Sequence, residues 1–90
     1  MFILTVYGKE NEGAYSVQNE EGNHVLYLFE EEDDATRYAT MLEDNEYPEM
    51  HVIEVEPDMM IAACESHGHE YTVITKNDIV IPPNTEHDFI

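Results

Sequence analysis

Val25-Leu26-Tyr27-Leu28-Phe29 is apolar at every position, and it sits between turn residues and a block of acids. A strand that alternates has one wet face; a strand apolar on both faces belongs in the middle of a sheet. This run therefore predicts a central strand over His24–Phe29, and the rest of the chain must be arranged around it. Upstream, Phe2 to Tyr7 is β-branched and aromatic and ends at Gly8. Ala14 to Gln18 alternates, with Tyr15 and Val17 on one face. Asn19-Glu20-Glu21-Gly22-Asn23 supplies turn chemistry, so the second and third runs form a hairpin.

After Phe29 the period changes. Ala35, Tyr38, Ala39, Met41 and Leu42 make the apolar stripe of a helix over Glu32–Asp44, stopped by Asn45 and Pro48. Met50 to Val55 alternates again as a strand. Glu56-Pro57-Asp58 opens a second helix, with proline at its first position, Met60, Ile61 and Cys64 turned inward and Gly68 as its stop. Glu70 to Thr75 is a further strand. Ile79-Val80-Ile81 suits an edge strand ended by Pro82-Pro83. Residues 82–90 read as a tail on a single globular domain over 1–81. The order β-β-β-α-β-α-β, with right-handed crossovers, predicts an α+β fold. The expected form is a two-layer sandwich: a mixed sheet of about five strands, two helices on one face, ferredoxin-like in general shape.

The outside of such a body is dictated by charge. Twenty-one acids face three basic residues, Lys9, Arg37 and Lys76, for a net charge of −18 over 90 residues. That field repels phosphate backbones and anionic membranes and attracts cations and basic proteins. An apolar fraction of 42% is too high for a disordered acidic tail, so the acids coat a folded core. One cysteine allows no internal disulfide, which suits a reducing, cytoplasmic setting. The N-terminal run is too short to span a membrane and lacks the basic flank of a signal peptide.

Two clusters are candidate sites. The acids Glu30, Glu31, Glu32, Asp33 and Asp34 open the first helix. Some acid there is expected from the helix dipole, but five in succession repel one another and exceed that need. With Glu43, Asp44, Glu46 and Glu49 they form an expected docking surface for a basic protein. They lack the alternation around glycine that a calcium loop requires. Cys64, His67 and His69 combine a thiol with imidazoles, a set that suits zinc, although one cysteine at a helix end has an ordinary structural reading too. No Gly-x-Ser-x-Gly, phosphate loop or distinguishable carboxylate pair points to an enzyme or a bound cofactor. Tyr15, Tyr27, Tyr47 and Tyr71 would favour a partner or a dimer if they lay on a helix-free sheet face.

Two stretches resemble a small uncharacterised domain family of cyanobacteria and chloroplasts, also carried by phages of cyanobacteria. They are Asn11-Glu12-Gly13-Ala14-Tyr15-Ser16 and, more specifically, Val25 to Phe29 followed by Glu32-Asp33-Asp34-Ala35-Thr36-Arg37-Tyr38-Ala39, Leu42 and Tyr47-Pro48. The resemblance spans residues 10–56. It implies a photosynthetic setting and makes Asp33-Asp34-Ala35 part of the family's fold; it implies no activity.

The leading functional expectation is a non-enzymatic binding or regulatory protein that contacts a basic protein surface, as monomer or homodimer, with no direct nucleic acid or membrane contact. A nucleic-acid mimic that blocks a DNA- or RNA-binding groove is the second, and a metal-binding protein built on Cys64, His67 and His69 the third. The mimic needs its carboxylates in two rows at phosphate-like spacing.

Overall fold

The computed structural model describes residues 1–9 and 13–78, and the backbone of 87–89. The elements are β1 (Phe2–Val6), β2 (Tyr15–Gln18), β3 (His24–Phe29), α1 (Glu32–Asp44), β4 (Met50–Glu54), α2 (Pro57–His67), β5 (Glu70–Ile74) and β6 (His87–Phe89). Among the described residues they form one α+β body with a six-stranded sheet and two helices.

The central run of apolar residues is the middle of that sheet. Along one edge β3 pairs in parallel with β5, from Val25 opposite Glu70 to Phe29 opposite Ile74. Its other edge is shared: β2 pairs with its first half, and β1 meets it at Phe2–Phe29. β4 then lies antiparallel along the whole of β1, and β6 along β2. The hairpin is fixed by Asn19, whose Oδ1 accepts from the backbone N–H groups of Glu21 (3.0 Å) and Asn23 (2.9 Å). The expected edge strand over Ile79–Ile81 lies outside the described residues. The expected tail is not wholly a tail, since His87–Phe89 adds a sixth strand.

The helices do not share a face. Because β1 is antiparallel to both β3 and β4, and β5 is parallel to β3, the strands β3, β4 and β5 all run the same way. The chain crosses from β3 over β1 to β4 through α1, then returns through α2 to β5 on the far side of β3. Two right-handed crossovers in opposite directions put their helices on opposite faces. Core composition agrees. Leu4, Tyr15, Val17, Phe29 and Ile74 pack with Ala35, Tyr38, Ala39 and Leu42 of α1, whereas Ile3, Leu26 and Leu28 pack with Cys64 of α2. Alternate residues of one strand thus enter different cores, as the two-residue strand period requires. The single-face, two-layer arrangement with a ferredoxin-like outline gives way to helix, sheet, helix.

Both helices end in the same device. In α2 the N–H of His69 donates to Cys64 O (2.8 Å) and that of Gly68 to Glu65 O, with Gly68 at φ 73°. In α1 the N–H of Tyr47 donates to Leu42 O and that of Glu46 to Glu43 O, both at 3.1 Å. This is the Schellman pattern, which wants glycine at the left-handed position. In α1 that position is Glu46, at φ 71°.

Candidate functional site

α1 carries most of the acids singled out in the sequence, and it separates them. Glu30, Glu31, Glu32 and Asp33 are exposed where β3 passes into the helix. Asp34 is sheltered and is bridged by Arg37, one turn further on. Glu43, Asp44, Glu46 and Glu49 are exposed at the other end. Thirteen residues at a 1.5 Å rise put about 20 Å between the groups. They are two patches, one at each helix end.

The patches differ in their structural reasons. Acids at the start of α1 complement the dipole; acids in its last turn oppose it, and no basic residue is there to offset them. Glu43 has a local task, since its carboxylate accepts from Met50 N–H at 3.2 Å. For Asp44, Glu46 and Glu49 the fold offers no comparable use. Further exposed acids sit on the β2–β3 turn (Glu20, Glu21), on β4 (Glu54), and on α2 and its flanks (Glu56, Asp58, Glu65, Glu70). With α1 and α2 on opposite faces, the negative charge surrounds the body instead of forming two files on one side.

Cys64, His67 and His69 do come together. They line a cavity of about 250 Å³ between α2 and the sheet, floored by Ala14 and Leu26 and walled by Met60 and Ala63. The histidine rings stack at 6.1 Å between centroids, and His24 meets His69 edge-on at the same separation. His24 was missed in the sequence because it lies far away in the chain. The parallel register that sets Val25 opposite Glu70 is what brings it beside His69. Even so, no group of three His, Cys, Asp or Glu side chains among the described residues is arranged to hold a metal ion. Cys64 is buried, and burial followed by the nearby Glu65 charge pushes its thiol up, away from the reactive thiolate.

Tyr15 and Tyr27 do not lie on a helix-free sheet face. Covered by α1, Tyr15 and Tyr27 join Phe29 and Tyr38 in an edge-on aromatic group with centroids 5.5 to 6.2 Å apart. Tyr47 packs against the same core. The Tyr15 and Tyr38 hydroxyls share a buried hydrogen bond of 2.9 Å. Burial raises both phenols far above their ordinary range; the shared hydrogen bond adds to the rise at Tyr15 and opposes it at Tyr38. These rings are core, not a partner surface; Tyr71 is partly exposed at 39%.

The larger apolar exposure lies on α2, beside the Met60, Ile61 and Cys64 that the sequence turns inward. Met59 is 71% exposed, Ala62 and Ala63 are exposed, and Cys64 alone is buried. The signal was present: Met59 to Cys64 is apolar for more than a full turn, and no helix can turn six consecutive residues to one core.

Among the described residues no helix is long and apolar enough to cross a membrane. A family model described as a domain of unknown function, DUF3110, matches residues 1–84. No curated protein and no solved structure matches the chain.

Proposed function

The chain belongs to the DUF3110 family, whose description carries no activity, and from its own surface we propose that it is a non-enzymatic binding protein whose acids engage a basic protein face. The observation behind this reading is the pair of exposed acidic patches at the ends of α1. The patch at the C-terminal end supports it most, because acids there work against the helix dipole and Asp44, Glu46 and Glu49 serve no packing purpose. Long-range attraction from a −18 body speeds encounter with a cationic partner and penalises wrong ones. The proposed setting is the cytoplasm of a photosynthetic cell, or of one infected by a phage that carries the domain.

A nucleic-acid mimic gains nothing from acids distributed over both helix faces. Affinity capture from a photosynthetic lysate tests the leading reading. Basic proteins should be retained at low salt and released at high salt. Retention that ignores salt, or a retained set without basic proteins, refutes it.

A further inference from the structure

The acids explain attraction but not a seat, and the outer face of α2 has the features of one. Met59 is 71% exposed, with Ala62 and Ala63 exposed beside it and Met60 and Ile61 half-buried. Next to this face opens the cavity over Leu26, between Met60, Ala63 and Cys64. At about 250 Å³ it falls below the roughly 300–1,000 Å³ of a small-molecule site. It suits a single apolar side chain delivered by a larger partner. The acidic border belongs to the strip and not to the cavity: Glu56, Asp58, Glu65 and Glu70 are exposed on α2 and its flanks, whereas His67 and His69 join the cavity's lining. No Lys or Arg occurs between Arg37 and Lys76 to offset these acids.

We infer that the outer face of α2 and its cavity form a docking groove for a cationic amphipathic helix of a partner protein. This rests on the reading above for its cationic partner and adds a second contact surface, across the sheet from the α1 patches. Charge complementarity fixes the occupant's flanks as Lys and Arg, and the apolar strip fixes its inner face. The alanines let a second helix approach closely, while the flexible methionines adapt to its side chains. One large apolar residue of the partner enters the cavity and anchors the register. A second copy of this chain would bring its own acids against the same border, and an anionic lipid surface would be repelled.

The full chain is titrated by calorimetry with two synthetic peptides of one composition. The first has leucines at helical spacing among lysines; the second has the same residues in scrambled order. The amphipathic peptide should bind about tenfold tighter or more, since only it buries an apolar stripe. Met59→Gln, at an exposed position that leaves folding intact, should bring it close to the scrambled peptide, and Ala63→Gln should do the same. Equal affinity for the two peptides, or no effect of Met59→Gln, overturns the groove while leaving the acidic surface standing. Failure of both peptides to bind at low salt overturns the acidic-surface reading itself. Self-association that protects Met59 makes the occupant a second copy and overturns the helix proposal.

Discussion

Glu46 should be replaceable by glycine with a gain in stability. At φ 71° it occupies the left-handed position of the Schellman turn that closes α1. A residue with a Cβ pays about 1–2 kcal/mol for that conformation. Glycine removes the clash but gives back about 0.5–1 kcal/mol through its freer unfolded chain. Lifting a negative charge from the negative end of the helix dipole adds a few tenths. The net gain is about 1 kcal/mol, which in a domain of this size raises Tm by about 4–8 °C. Thermal and urea unfolding followed by circular dichroism would measure it, with Glu46→Ala as the control that removes the charge but keeps the Cβ. Glu46→Gly should exceed Glu46→Ala by most of that margin. Equal stability of the two variants would show that the backbone at 46 is unstrained and refute the reasoning. Glycine fills the matching position in α2, so a glutamate here suggests that its charge is kept for use.

Further outcomes follow from the core and the charge. Tyr38→Phe should lower stability by about 1 kcal/mol in urea titrations, because it breaks the 2.9 Å Tyr15–Tyr38 bond inside the core. Tyr15, Tyr27 and Tyr38 are all raised above the ordinary 10.0, so the unfolded chain loses their protons first. Their stabilisation is full below pH 10 and should decline as pH rises beyond it, with Tyr27→Phe flattening that decline. Added salt should raise Tm, since screening relieves repulsion among 21 acids facing three basic residues; a Tm independent of salt would contradict this. Cys64 should react with alkylating reagents at mild pH far more slowly than a free thiol, and denaturant should abolish the difference.

Local structure was legible because it depends on neighbours in the chain. The stripe from Ala35 to Leu42 marks α1, Pro57 and Gly68 bound α2, and the unbroken run to Phe29 marks the central strand. What failed was long-range. The face on which each helix lies depends on strand order and direction, and no residue pattern encodes that β3, β4 and β5 run the same way. A clue was available in β3 itself: a strand apolar on both faces calls for cover on both, which helices on one face cannot give. The same gap left the face of Tyr15 and Tyr27 open, which α1 covers, and hid His24, which reaches His69 only through parallel pairing. The acidic residues were legible as a group, but their separation into two patches needed the helix between them.

The central claim concerns where the charge lies, beyond how much of it there is. Three neighbouring acids, changed together as Asp44→Asn, Glu46→Gln and Glu49→Gln, remove the patch at the C-terminal end of α1; Glu20→Gln, Glu21→Gln and Glu54→Gln remove equal charge elsewhere. The affinity of each variant for the basic proteins captured by the unaltered chain, measured at one low salt concentration, separates place from amount. The account predicts a marked loss for the first set and near-normal binding for the second. Equal losses would mean that only bulk charge matters, and would contradict it.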